Sequence, residues 1–372
     1  MVSKMKNEKI SIAMVANNLD TNGISAVIMN YCKHIDKNKF DINIIAGSPI
    51  SNIHRKDAKM YGIKIWELPS RKKESRKYYT DLYKIFRKNK IDIVEVHGNS
   101  ATITVELLIA WLNKIKIRIA HSHNSTCMNQ KIHKILYPVF NRLYTQGFAC
   151  SEMAGKWLFH DNKFEIIPNG FNVEKFQYSQ EARHYIRSKI GIQEDDFVIG
   201  HVGRFNYQKN QQFLLNIFEK IPDINSHAKL LLIGNGPDLD MIKSIVNRHP
   251  YRERIIIYGE TDEIEKIYSA MDVFVFPSRY EGLGIVAIEA QISGLSCIVS
   301  DAVPKDILVG SNVWFYSLKE ERMKWILGIE KHKKSKEERK DFYKNNIKQI
   351  EAYDIKNNVK KLEKIYYNLL ES

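Results

Sequence analysis

Apolar runs of strand length alternate with longer amphipathic stretches along almost the whole chain. KISIAMVAN (9–17), FDINIIAG (40–47), IKIWELP (63–69), IDIVEVHG (91–98), IKIRIAHSH (115–123) and GFACS (147–151) have the length and residue types of strands. Between them the apolar spacing turns helical, as at 23–36 and 101–113. A second series follows in DFVIGHVGR (196–204), AKLLLIGNG (228–236), RIIIYGE (254–260), DVFVFPS (272–278) and LSCIVSD (295–301). Alternation of this kind predicts a doubly wound parallel α/β sheet, and two series predict two of them. The expected boundaries are 1–165 for the first domain, 166–345 for the second and 346–372 for a terminal helix packing back toward the first. In that last segment Ile350, Val359, Leu362 and Ile365 supply the apolar positions. Open parallel sheets take ligands beyond the carboxyl ends of their strands. Two such sheets facing one another would hold a ligand in the cleft between them.

The 372-residue length suits two domains, and 44% hydrophobic with 27% charged residues is ordinary for a globular chain. No apolar run approaches the ~18 residues of a membrane-spanning helix. The short apolar stretch near the N-terminus runs straight into a strand pattern, so a cytoplasmic protein without a signal peptide is expected. Cys32, Cys127, Cys150 and Cys297 are scattered, without a Cys-x-x-Cys pair or histidines at zinc spacing, and read as buried free thiols.

The net charge of +14 is unevenly placed. Residues 1–165 hold 27 basic and 14 acidic side chains, and the remainder 30 and 29. The densest segment, 71–90, has nine basic residues against Glu74 and Asp81, with Tyr78, Tyr79, Leu82, Tyr83 and Phe86 at helical spacing. It reads either as a basic, aromatic surface for an anionic membrane or as a solvated helix whose aromatics face its own core. No nucleic-acid-binding motif accompanies the charge, and nucleic acid is not expected as a partner.

The strongest candidate for chemistry is PSRYEGLGIVAIEAQISGLSCIVSD, residues 277–301. A strand ends near Pro277, a loop carries Glu281, Gly282 and Gly284, and GIVAIEAQIS reads as a helix. Free amides at such a helix start suit a diphosphate. Glu281 and Glu289 are the residue type that holds sugar and ribose hydroxyls, because a carboxylate accepts two directed hydrogen bonds. By themselves they read equally as solvated glutamates.

This paired-glutamate segment resembles that of the family-four glycosyltransferases of GT-B fold. GRFNYQKN (203–210) resembles the family's diphosphate segment, and IPNGFNVEKF (167–176) its interdomain Pro-Asn-Gly segment. FACSEMAGKWL (148–158) looks like its Cys-Ser-Glu segment, and NNLDTNGISAV like its first loop, with Asn22-Gly23 where many relatives have two glycines. The resemblance implies two facing Rossmann-like domains and retaining transfer of a sugar, hexosyl by expectation. The donor would be a nucleotide sugar, UDP-linked by expectation, and the acceptor a carbohydrate or lipid-linked hydroxyl in surface-polysaccharide synthesis. Peripheral association with the inner face of the membrane would bring the two together.

Residue by residue, the resemblance implies that Arg204 and Lys209 neutralise the donor diphosphate with no metal or other cofactor. It places Glu281 on the transferred sugar and Glu289 on the ribose. Gly23, Gly203 and the backbone of Gly282, Leu283, Gly284 and Ile285 complete the donor contacts, and His123 lies by the donor sugar. Of His121 and His123, strand alternation is expected to turn only one toward the ligand. His97 and Asn99 are expected on the acceptor side. Asp238-Leu239-Asp240 spells the Asp-x-Asp of manganese-dependent transferases but begins a helical segment, and is read as capping. Lys305-Asp306 stands where relatives often carry a glutamate. A sugar-nucleotide epimerase or phosphorylase is the alternative enzyme, though no pyridoxal lysine is identifiable for the latter. A non-catalytic sugar-nucleotide or membrane-binding module is the other alternative, and the intact Glu and Arg/Lys pairs weigh against it.

Overall fold

The computed structural model describes residues 9–20 and 23–371, so the first eight residues and Asn22 of the first loop lie outside the described residues. The chain divides into two compact units. One takes the chain up to Phe171 and again from Tyr353, and the other takes Asn172–Ala352.

The first unit runs β1 (Ile10–Ala16), α1 (Gly23–His34), β2 (Phe40–Gly47), α2 (Asn52–Met60), β3 (Lys64–Leu68), α3 (Ser75–Lys88), β4 (Ile93–Gly98), α4 (Thr104–Leu112), β5 (Ile117–Ser122), α5 (Gln130–Leu143), β6 (Gln146–Ala149), α6 (Glu152–Phe159) and β7 (Glu165–Ile166). Its seven strands are parallel, in the order β3-β2-β1-β4-β5-β6-β7. β1 and β4 are buried almost throughout; β1 accordingly reads as a near-continuous apolar run, whereas β4 buries Glu95 and His97 among its apolar residues. The strand order reverses between β1 and β4, so the connections leaving them diverge and open a crevice above their carboxyl ends.

In the basic segment 71–90 the aromatic stripe faces its own core. Tyr78, Leu82 and Phe86 of α3 are buried at helical spacing, and of the aromatics only Tyr83 is exposed. Arg71 is not a surface charge either. Its Nε lies 2.8 Å from the buried Glu106 carboxylate and its Nη1 donates to Asn17 Oδ1 at 2.9 Å, tying the loop after β1 to α4.

The second unit runs α7 (Gln180–Lys189), β8 (Phe197–Val202), α8 (Gln211–Phe218), α9 (Ile221–Ile224), β9 (Ala228–Ile233), α10 (Leu239–Arg248), β10 (Ile255–Gly259), α11 (Ile264–Ala270), β11 (Val273–Phe276), α12 (Ile285–Ile292), β12 (Ser296–Ser300), β13 (Val313–Tyr316), α13 (Arg322–Lys331), α14 (Lys336–Asn345) and α15 (Ile347–Ile350). Its parallel sheet has the order β10-β9-β8-β11-β12-β13, with the reversal at β8/β11. Phe205, Leu214, Phe218, Leu230, Leu232, Val273, Ile298 and Trp325 belong to one buried cluster between sheet and helices. Every strand expected from the sequence is present. β7 and β13 were not legible, being two and four residues long and without alternation.

The chain ends in α16 (Ile355–Glu371), which belongs to the first unit. Ile355, Val359, Leu362 and Tyr366 are buried along one stripe, and the helix packs on α1. Backbone bonds from Phe171 to Tyr353 and from Ile355 to Phe171, each 3.0 Å, fasten its start. Cys32, Cys150 and Cys297 are buried free thiols, whereas Cys127 is half-exposed.

Candidate active site

In the second unit, two loops rise from the strands that flank the reversal. The loop after β8 carries Gly203, Arg204 and Lys209, and the loop after β11 carries Glu281, Gly282, Leu283 and Gly284. Hydrogen bonds stitch them together. Arg279 N donates to Gln208 O (2.8 Å), Gln208 Nε2 to Tyr280 O (3.0 Å), and Asn210 Nδ2 to Pro277 O (3.1 Å). Arg279 also donates to Asn210 Oδ1 at 2.9 Å and lies over the Tyr207 ring. Asn210 precedes α8 with φ 58°, a left-handed conformation that asparagine tolerates better than most residues. At the centre, Lys209 Nζ meets Glu281 Oε1 at 2.6 Å, and the ammonium sits 4.6 Å from the centroid of Phe276. Glu281 is buried and Arg204 is exposed.

Beneath these loops His201 donates from Nδ1 to Val275 O at 2.9 Å, which leaves Nε2 to accept from Gln211 at 3.2 Å. Gln211 also donates to Arg204 O, so one buried amide fixes both the histidine and the loop that carries Arg204. Burial pushes His201 down to about 4 and keeps it neutral. The loop after β9 comes equally close. A Cβ on Gly234 (φ 130°) would lie 2.2 Å from Gly203 O, and one on Gly236 2.3 Å from Phe205 O, so these positions admit only glycine without rearrangement.

Glu289 lies on α12, where its Oε2 accepts from the buried Tyr268 hydroxyl at 2.7 Å. Desolvation raises its carboxyl to about 7, with the Tyr268 bond opposing the shift. Ile285 opens α12 after Gly284, whose φ of 91° turns the chain into the helix.

In the first unit, Gly23 is the exposed first residue of α1. The expectation that only one of His121 and His123 faces the ligand is wrong, because residues two apart on a strand share a face. Their rings stack with centroids 4.2 Å apart, and His97, opposite His121 in the sheet register, completes a buried trio. His97 Nδ1 and His123 Nε2 are 2.9 Å apart, and His121 Nδ1 is 2.7 Å from Glu95 Oε1. The other oxygen of Glu95 accepts from the hydroxyl of Tyr366 on α16. Burial holds all three imidazoles below their usual range, His121 at about 3, and raises the Glu95 carboxyl. One nitrogen from each histidine lies within 4.8 Å of the others, the one such grouping of possible metal ligands among the described residues. The ring planes, however, are within 23–31° of parallel. Imidazole lone pairs lie in the ring plane, so near-parallel rings do not aim three of them at one point as tetrahedral zinc requires. Asn99 is partly buried at the same strand end, its carbonyl accepting from Trp157 Nε1 at 2.8 Å.

Residues 21–175 match the family model described as Glycosyltransferase Family 4, and residues 183–366 the one described as Glycosyl transferases group 1. The chain belongs to the family-four glycosyltransferases. It is 28% identical to EpsF of Bacillus subtilis, over 97% of both chains. It is 26% identical to the UDP-Gal:alpha-D-GlcNAc-diphosphoundecaprenol alpha-1,3-galactosyltransferase of Escherichia coli, over 82% of this chain and 83% of that one. The fold is similar to that of Anabaena Alr3699/HepE, solved in complex with UDP-glucose, with a TM-score of 0.80 at 14% identity over 96% and 100% of the two chains.

Within this glycosyltransferase the Asp-x-Asp segment is a helix start, with Asp238 at the N-cap position of α10 and Asp240 in its first turn. Asp238 makes no side-chain capping bond, so its effect there is that of a negative charge near the helix dipole rather than the expected cap. His201, Gln211, Asn210, Arg279, Tyr268, Glu95 and Tyr366 were not singled out from the sequence. Strand alternation already put Glu95 on the same face as His97. The other six are brought in by β8–β11 adjacency, helix packing and the return of α16.

Proposed function

We propose that this glycosyltransferase moves a hexosyl group, with retention of configuration, from a UDP-sugar to a lipid-linked carbohydrate acceptor in surface-polysaccharide synthesis. The observation that carries the donor side is the Lys209–Glu281 pair, 2.6 Å apart, on two interlocked loops at the strand-order reversal. Lys209 and Arg204 would oppose the charge that grows on the leaving diphosphate, and the α12 amides would hold its oxygens. A carboxylate has room for several hydrogen bonds, so Glu281 can orient Lys209 and still accept from a sugar hydroxyl. Glu289 would accept from the ribose. The paired-carboxylate scheme of glycoside hydrolases has no counterpart among the proposed contacts, which favours attack on the leaving-group face with the phosphate taking the acceptor proton. The named donor and acceptor of the Escherichia coli relative and the UDP-glucose in the Anabaena protein support this choice of substrates.

A lipid-linked acceptor calls for a membrane-facing surface, and α4 and α5 fit that role better than α3. These two helices pack together and expose Trp111, Leu112, Ile132, Ile135 and Val139, with Met128 fully exposed just before α5. Residues 107–151 contain no Asp or Glu and six Lys or Arg. Apolar side chains within basic surroundings suit an anionic bilayer. No helix among the described residues is long and apolar enough to cross one.

The test is a panel of nucleotide sugars with purified protein, following nucleoside diphosphate release in the presence of a chelator. A UDP-sugar should turn over without divalent metal. Glu281→Ala should lose about 2–4 kcal/mol of transition-state stabilisation, two to three decades in rate, while Asp238→Ala stays close to wild type. Turnover abolished by chelator and restored by manganese, or equal rates in the two variants, would overturn the reading.

A further inference from the structure

We propose that Glu95, clamped by Tyr366, is a positioning residue that sets the tautomers of His97 and His123, so that His123 offers a bare Nδ1 to a substrate hydroxyl. The proposal rests on the reading of the chain as a sugar transferase with His123 at the substrate.

The argument follows the protons along one buried chain. Desolvation raises the Glu95 carboxyl, but His97 and the Tyr366 hydroxyl oppose that shift. With Tyr366 Oη, His121 Nδ1 and His97 Nε2 all gathered at its two oxygens, we take Glu95 as the anion, to which Tyr366 donates at Oε2. At Oε1 the carboxylate accepts from His121 Nδ1, 2.7 Å away, which therefore carries that ring's proton. His97 Nε2 stands 3.5 Å from the same oxygen. A lone pair there would face a negative charge, whereas an N–H is attracted to it, so the proton of His97 belongs on Nε2. That leaves His97 Nδ1 bare, and the atom 2.9 Å from it, His123 Nε2, must donate. A neutral His123 is then unprotonated at Nδ1. Neutrality follows from burial, which holds both rings below their usual range.

His123 Nδ1 is buried and has no hydrogen-bond partner among the described residues, as is also true of His97 Nε2 and His121 Nε2, and of the three it belongs to the ring that the family resemblance puts by the donor sugar. An unmet buried acceptor is costly, and a sugar hydroxyl is a donor of the right chemistry to satisfy it. Without the Glu95 charge the His97–His123 bond could run in either direction, and the reverse direction would turn His123 Nδ1 into a donor. The polarity of the contact is therefore fixed two side chains away from the substrate, by a glutamate on β4 and a tyrosine on α16.

Nitrogen NMR on 15N-histidine-labelled full-length protein reads the tautomers directly, and steady-state kinetics reads their use. In wild type, His123 should be protonated at Nε2 and bare at Nδ1. In Glu95→Gln the His123 signals should shift toward the Nδ1–H form, and kcat should fall at least about tenfold, the scale seen when an orienting carboxylate is lost. UDP affinity, which is read separately, should stay within about twofold. Tyr366→Phe, which removes a single hydroxyl, should move both readouts the same way by less, and serves if Glu95→Gln does not fold. An Nδ1-protonated His123 in wild type, or unchanged His123 signals in Glu95→Gln, overturns the proposal. A tautomer shift with full turnover removes His123 from the substrate and overturns the proposal's second half. Absence of turnover with any UDP-sugar in wild type, with the tautomers as stated, would instead count against the transferase reading.

Discussion

Single residues here act through the protonation state that their surroundings impose. Glu289 is the clearest case, since desolvation and the nearby Glu265 raise its carboxyl to about 7 while Tyr268 and Lys209 pull it back. If it accepts from ribose as an anion, donor KM should rise as pH falls from 8 through about 7, and Glu289→Gln should flatten that profile. A wild-type KM independent of pH over this range would remove Glu289 from the ribose. The same shift has a stability consequence of opposite direction. Because the folded value lies above the free carboxylate value, the folded state binds more protons between them, and this group's contribution declines as pH rises toward 7. Lys209 and Glu281 were both legible in the sequence as motif residues, but their 2.6 Å pairing was not, because seventy-one residues separate them and only the β8–β11 pairing brings them together.

At the scale of elements, α3 and α5 show how composition and burial part company. α3 is the more basic helix, yet Tyr78, Leu82 and Phe86 are spent on the core of the first unit. α5 carries fewer charges but exposes Ile132, Ile135 and Val139, because His133, Phe140 and Leu143 are the positions it buries. Vesicles containing phosphatidylglycerol should therefore sediment the protein at low salt. Ile135→Glu with Val139→Glu should abolish this, and changing Lys72, Lys73, Arg76 and Lys77 to Gln should weaken it less. Each basic residue near such a surface is worth about 1 kcal/mol, and the attraction should fade as the Debye length drops from ~10 Å at 0.1 M salt to ~3 Å at 1 M. Loss of binding in the α3 variant alone would move the surface back to 71–90.

At the scale of the molecule, the chain leaves its first unit at Phe171 and returns to it at Tyr353, so α16 completes a core begun more than three hundred residues earlier. Leu362 is fully enclosed in that packing. Leu362→Ala should cost about 2–5 kcal/mol and lower the melting temperature of the first unit by several degrees. UDP affinity, assigned to residues of the second unit, should be unchanged. A matching loss of UDP affinity would show that α16 serves both units.

The sequence by itself determined the elements and the family. Local periodicity decides strand or helix, and the motif segments are short enough to carry their identity in contiguous residues. Eleven strands, the paired glutamates and the Arg204–Lys209 segment were readable for that reason. The tertiary structure decided what depends on neighbours distant in the chain. It paired Lys209 with Glu281, buried the stripe of α3 and aligned His97 beside His121 through the β4–β5 register. It also brought Tyr366 to Glu95. Those contacts set burial and proton positions, which are properties of the folded surroundings and not of any stretch of residues.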